Sequence, residues 1–425
     1  MASLLRVPLS ARRSSPSRTG SVVLCAAVAA LVAPAVAVAA PEPPPAPCPK
    51  VAPPPAVDTS EVPPPGAAVP PPVPVPDDPV GGQRMAECGL ITGQGTPPPP
   101  AEVTSESWVL ADLDSGQIMA ARDPHARQRP ASTIKVLTAL VALRELKLDD
   151  TIVATQQDAD QEGSRVGLSP GVTYTVRQVL TGLIMQSGND AAHALAMKVG
   201  GMDAMVDKMN ALARELGALD TRTATPSGLD GPGMSTSAYD LALFYRAAMR
   251  DPNFAAISAT RNTQLPGPPG KPPMEVWSDN QVLLHYPGAI GGKTGFTDDA
   301  RHTLIGAADR GGHRLVGVMT RGENQPIRQT AQMMRLLDYG FALGPVEPVG
   351  KLVDETAKPS ADHAARAGSD AAGKEPGQQS RALGSVGGPL ALVVVLLAAV
   401  VGALALRRRR AAAHARRNSG GDDHP

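Results

Sequence analysis

The chain has 425 residues, with 40 basic and 40 acidic side chains and a formal net charge of zero. No basic stripe runs through it, which excludes nucleic acid as an expected partner. Aromatic residues are only 3% of the total, so any core rests on Ala, Leu, Val and Met.

The N-terminus reads as a signal peptide over 1–40. Arg6, Arg12, Arg13 and Arg18 precede an apolar run at 21–40 that ends in small-residue options such as Ala37-Val38-Ala39. Residues 41–100 then hold 22 of the 44 prolines. Such a segment cannot bury a core, and 41–102 is expected to be an extended, extracytoplasmic spacer. Cys25 falls in the leader, which leaves Cys48 and Cys88. An exported chain meets an oxidising compartment, so these two are expected to form a disulfide.

Periodic patterning begins near 103 and ends near 345, enough for one domain. A strand pair is expected over about 108–122. Pro130 and Ser132 mark a helix start, and apolar positions then recur at helical spacing. Within that start lies S-x-x-K, Ser132 and Lys135, whose i, i+3 spacing puts both side chains on one face. A serine hydroxyl is a poor nucleophile until a base takes its proton. A lysine serves if burial or a nearby cation lowers its pKa.

Further on, a helical run over 175–185 breaks at Ser187-Gly188-Asn189, and a new helix is expected from Asp190. A hydroxyl and an amide two residues apart in a turn can share one cleft, the first relaying a proton and the second holding a carbonyl.

The stretch GGKTGFT, 291–297, looks like the end of a phosphate-binding loop. That loop needs a glycine where Pro287 stands, and a helix after it. Residues 301–322 instead read as a hairpin turning at Gly311-Gly312. On a strand edge the same residues make other sense. Lys293 and Thr294 offer a cation and a hydroxyl to a carboxylate. Gly295 lets a substrate backbone lie close. Lys293 also places a like charge near Lys135, and the N–H groups of Phe296 and Ser132 are candidates for an oxyanion hole. A rival S-x-N, Ser278-Asp279-Asn280, lies only 15 residues before Lys293, so the turn role goes to Ser187 and Asn189. His125, His193, His302 and His313 are scattered and read as surface or packing residues. Neither G-x-S-x-G nor H-E-x-x-H occurs, and no metal or cofactor is expected.

Residues 346–385 are polar and aperiodic and read as a linker. The 21 residues 386–406 carry no charge, and Arg407–Arg410 follow them directly. This is the pattern of a membrane span with a basic cytoplasmic tail, 407–425. The domain at 103–345 is therefore expected outside the cytoplasm, held at the cell membrane.

Each motif is weak alone; their order carries the argument. Together with WVLADLDSGQIMAARDPHARQRPASTIKVLTAL, EGSRVGLSPGVTYTVRQVLTGLIMQSGNDAA, TPSGLDGPGMSTSAYDLALF and NQVLLHYPGAIGGKTGFTDDA, they resemble the serine-type D-Ala-D-Ala carboxypeptidases, the low-molecular-mass penicillin-binding proteins. The proline-rich lead and closing span look like mycobacterial and other actinobacterial members. The resemblance implies an α+β fold, with a five-stranded, mainly antiparallel sheet, helices on both sides and a helical subdomain. Many members carry a further β-domain, which is not expected here because a linker and an apolar run follow residue 345. The resemblance also implies roles. Ser132 attacks the carbonyl between the last two D-alanines of a peptidoglycan stem peptide, and Lys135 takes its proton. Ser187 and Asn189 assist, Lys293 and Thr294 hold the terminal carboxylate, and β-lactam antibiotics acylate Ser132. Rival readings are a D,D-endopeptidase or transpeptidase on the same site, a β-lactamase using Glu162 for deacylation, and an inactive wall-binding module.

Overall fold

The computed structural model describes residues 50–354. The expected signal peptide, Cys48, the apolar run 386–406 and the basic stretch after it lie outside the described residues. Among those residues, no helix is long and apolar enough to cross a membrane.

In chain order, β1 (Leu90–Thr92) leads to the hairpin β2 (Ser107–Asp112) and β3 (Gln117–Arg122). A 3₁₀ turn, Ala131–Ile134, feeds α1 (Lys135–Glu145). The small ladder of β4 (Thr151–Val153) with β5 (Thr173–Thr175) brackets α2 (Gln156–Ala159). A helical region follows: α3 (Val176–Met185), α4 (Asn189–Val199), α5 (Met202–Glu215), α6 (Ala238–Ala248) and α7 (Pro252–Ser258). After the hairpin β6 (Asn262–Leu265) and β7 (Met274–Trp277) come α8 (Gln281–His285), β8 (Ala289–Thr297), β9 (Arg301–Arg310), β10 (His313–Gly322), α9 (Gln329–Leu343) and β11 (Gly350–Lys351).

The expected strand pair, helical middle and closing hairpin are all present. Several boundaries are set by local chemistry. Thr175 and Gln178 form a reciprocal capping box that starts α3. α4 begins at Asn189, one residue earlier than expected. That shift puts Asn189 in a helical first turn.

The main sheet is antiparallel throughout, in the order β1-β3-β2-β10-β9-β8, with β11 also on β3. It has seven strands rather than the expected five. Five of them, β3-β2-β10-β9-β8, run side by side in that order, with β8 at the edge. β1 comes from residues assigned by composition to the spacer, and β11 from residues assigned to the linker. Each is two or three residues long, too short to show period-2 patterning in a proline- or glycine-rich context.

Strand alternation gives the sheet two apolar faces. Leu110, Leu304, Ala308, Leu315 and Met319 cluster with Met333, Leu336 and Leu337 of α9. Gly306 and Gly317, partners in register, make room for Met333; a Cβ on Gly317 would stand 2.5 Å from its sulfur. The alternate residues Val109, Ala111, Ile305, Val316 and Val318 are also buried, and α6 lies against β2 and β10. β8 ends the sheet, and its outer edge runs beside the 3₁₀ turn that carries Ser132.

Candidate active site

The chain enters the site through a constrained turn. Pro130 is the N-cap of the 3₁₀ segment, and Ala131 takes φ 46°, a left-handed value unusual for a residue with a Cβ. The Pro130 carbonyl holds the turn by accepting from Thr133 Oγ1 and, at 2.9 Å, from Thr303 Oγ1 of β9. Gly228 presses on it from the other side. A Cβ there would lie 2.0 Å from the Ala131 carbonyl oxygen.

Lys135 is the first residue of α1, one turn after Ser132, and its Nζ donates to Ser132 Oγ at 2.8 Å. The same nitrogen reaches Asn189 Oδ1 at 2.7 Å and the Ser227 carbonyl. Lys135 is wholly buried. Burial, and then the charge of Lys293, hold its pKa well below the ordinary lysine value; Asp279 and Asp190 pull the other way. The expected like-charge effect of Lys293 is present, second to desolvation.

Ser187 adopts φ 56° and is buried, so the turn between α3 and α4 is strained as well. Asn189 was expected to hold a substrate carbonyl. In the structure its amide spans Lys135 on one side and the Glu162 carbonyl on the other, Nδ2 to oxygen at 2.5 Å. What Glu162 brings to the site is therefore a backbone oxygen; its side chain is on an exposed residue.

Lys293 is fully buried, and its Nζ donates to the Thr294 carbonyl at 2.7 Å. Desolvation lowers its pKa to about 8, against the opposing pull of Asp279. Thr294 Oγ1 donates to Asp279 Oδ2 at 3.1 Å. Gly295 is required by packing rather than by substrate alone. A Cβ there would stand 2.3 Å from Thr303 Oγ1 and 2.9 Å from the Ser132 nitrogen. The side chain of Phe296 is 48% exposed and lies against His302. The structure thus brings Ser132, Lys135 and Asn189 into direct contact, sets Gly295 against Ser132, and places Lys293 within electrostatic reach of Lys135.

Three supporting elements escaped the sequence reading. Asp190, fully buried, accepts from the backbone N–H groups of Val166, Gly167 and Leu168 and so fixes the loop that supports Asn189. Asp279, set aside with the rival S-D-N stretch, bonds Thr294 and biases both lysines. Its N–H is tied to the Met185 carbonyl, while Asn280 caps α8. Ser227 supplies a carbonyl to Lys135. Of the histidines read as surface or packing residues, His313 stands 3.2 Å from Asp112, and two have closer carboxylate partners: His125 with Asp220 at 2.7 Å and His193 with Asp158 at 2.5 Å. These pairs are 95 and 35 residues apart in sequence, too far for a spacing signal. Cys88 is disulfide-bonded; Cys48 lies outside the described residues.

Known proteins give the same picture. The chain is 50% identical over 253 residues to the D-alanyl-D-alanine carboxypeptidase DacB2 of Mycobacterium tuberculosis, covering 58% of this chain and 86% of that protein. It is 31% identical over 262 residues to DacF of Bacillus subtilis, covering 60% and 66%. A crystal structure of a D-alanyl-D-alanine carboxypeptidase from Mycobacterium tuberculosis superposes with TM-score 0.59 at 48% identity, over 61% of this chain and 99% of that one. The Streptomyces K15 DD-transpeptidase gives TM-score 0.55 at 28% identity, over 58% and 100%. The peptidase S11 family profile, D-alanyl-D-alanine carboxypeptidase, matches residues 93–324, more than half the chain. The Ser132–Lys135 pair, the fold around it and this match agree, and the chain belongs to the D-alanyl-D-alanine carboxypeptidase family of serine peptidases.

Proposed function

We infer that this enzyme removes the terminal D-alanine from peptidoglycan stem peptides ending in D-Ala-D-Ala. The observation that carries the reading is the 2.8 Å contact between Lys135 Nζ and Ser132 Oγ in a fully buried setting. A neutral Lys135 accepts the hydroxyl proton as Ser132 Oγ attacks the carbonyl of the penultimate D-alanine. The N–H groups of Ser132 and Phe296 receive the oxyanion. Lys293 and Thr294 hold the terminal carboxylate, and Ser187 passes the proton to the departing amine. D-Alanine leaves, and water then releases the shortened peptide from Ser132. A β-lactam acylates the same serine, but its leaving group stays tethered and the adduct persists.

A second reading, transfer of the acyl group to an amine in place of water, is favoured by the similarity to the Streptomyces K15 DD-transpeptidase. It uses the same residues and differs in acceptor. The composition of 1–40 and of 386–410 supports an exported domain tethered to the cell membrane at its C-terminal side. Incubating the full chain and its Ser132→Ala variant with a D-Ala-D-Ala pentapeptide tests the main reading. Free D-alanine should appear only with Ser132 present.

A further inference from the structure

The proline-rich segment ahead of β1 is seated on the chain that leads into the nucleophile. Arg127 donates its backbone N–H to the Lys50 carbonyl at 3.0 Å. Its guanidinium serves the carbonyls of Val51 at 2.9 Å, Pro74 at 2.7 Å and Val73. Proline-rich backbone is poor in N–H donors, so its carbonyls need outside partners, and arginine offers five donors. Arg129 binds the Pro54 carbonyl at 2.6 Å and makes a two-pronged pair with Glu61, Nη2 to Oε2 at 2.7 Å. Both arginine side chains are about 2% exposed.

The same short stretch also grips the segment that follows β8. The N–H of Val57 and, at 3.3 Å, Ser60 Oγ donate to the carboxylate of Asp299. Asp299 is itself buried, with its carbonyl accepting from Arg321 at 3.0 Å. Arg129 stands three residues before Ser132, and Asp299 three residues after Phe296. Residues 54–61 therefore bridge the two backbone segments that carry the oxyanion-hole N–H groups.

We propose that Glu61 is a positioning residue for acylation: by clamping Arg129 while its neighbours hold Asp299, it sets the separation of the Ser132 and Phe296 N–H donors. This rests on Ser132 as the nucleophile. The left-handed Ala131 between Arg129 and Ser132 needs such a clamp, because a strained residue persists only where its surroundings over-determine it. Removing Glu61 takes away the carboxylate that Arg129 hydrogen-bonds and leaves only the longer-range pull of Asp299 and Asp230, which favours a shift of the segment that aims Ser132. Oxyanion stabilisation depends on donors held within a few tenths of an ångström.

The test uses the full chain, with Glu61→Ala and Glu61→Gln beside the parent. A fluorescent penicillin reports both the rate of Ser132 acylation and the fraction of chains labelled. The expected result for Glu61→Ala is full stoichiometry at a rate about 5- to 50-fold lower, the scale of a small misplacement of reacting groups. Glu61→Gln, which keeps an acceptor for Arg129, should recover part of the rate. Acylation of Glu61→Ala at the parent rate would overturn the proposal, whatever happens to the melting temperature. So would a slower signal explained entirely by a smaller labelled fraction, since that is partial unfolding. A parent that is not labelled would overturn the reading of Ser132 itself, and the proposal with it.

Discussion

Lys135 Nζ lies 2.8 Å from Ser132 Oγ, and the charge of Lys293 helps hold Lys135 below its ordinary pKa. The two lysines need opposite protonation states. Lys135 accepts a proton only when neutral, so acylation should rise with pH through a range well below 10.5. Lys293 holds a carboxylate only when charged, and its pKa is near 8. The pH profile of kcat/KM should therefore be bell-shaped, with an alkaline limb near 8. Asp279 raises both values, so Asp279→Asn should move both limbs to lower pH. Limbs that stay put or move upward in pH-rate measurements would contradict this electrostatic account.

Gly295 and Gly312 separate close approach from backbone freedom. A Cβ on Gly295 meets Thr303 Oγ1 at 2.3 Å and the Ser132 nitrogen at 2.9 Å, whereas one on Gly312 meets nothing within 4 Å. Gly295→Ala should push β8 off the nucleophile turn and slow penicillin acylation about 100-fold. Gly312→Ala, strained only by its φ of 88°, should cost about 1 kcal/mol of stability and leave acylation unchanged. Equal acylation rates in the two variants would count against the packing of β8 on Ser132.

Asp190 makes a stability prediction. It accepts from three N–H groups of the 166–168 loop while fully buried. Asp190→Ala strands those donors, and urea denaturation should show a loss of about 3 kcal/mol. A loss below about 1 kcal/mol would mean that water replaces the carboxylate.

Much of this site was legible in the sequence because its chemistry is local or ordered. Ser132 and Lys135 sit one helical turn apart. The break at Ser187-Gly188-Asn189 announces itself between two helices. The hairpin after GGKTGFT rules out a phosphate loop. Asp190, Asp279 and the Ser227 carbonyl were not legible, because each acts through a contact that only the folded chain creates. Asn189 was found but its partners were not: its amide is spent on Lys135 and on the Glu162 carbonyl, 27 residues away. The seating of the proline-rich segment stayed open for a related reason. Composition shows that it cannot form a core, but not that buried arginines will bind its carbonyls.

Asp230 gives a linkage prediction. Burial raises its pKa to about 6, while a bond to Thr297 opposes the shift. A carboxyl raised above its unfolded value of 3.8 favours the folded state below that value and loses this contribution as pH rises through about 6. At neutral pH the charge is a liability. Asp230→Asn should therefore melt higher than the parent at pH 7, with the gain fading towards pH 4. The size should be modest, about 1–3 °C, because the group is partly solvated. A variant equally stabilised at both pH values would contradict the titration.

The central claim is that Ser132, activated by Lys135, opens the bond between the last two D-alanines. Its most direct measurement is mass spectrometry of the full chain with a D-Ala-D-Ala pentapeptide, beside Ser132→Ala and Lys135→Ala. The account predicts loss of one alanine with the parent, a rate lower by at least about 1000-fold with either variant, and a covalent adduct on Ser132 after penicillin. Undiminished alanine release by Ser132→Ala, or a penicillin adduct on another residue, would contradict it.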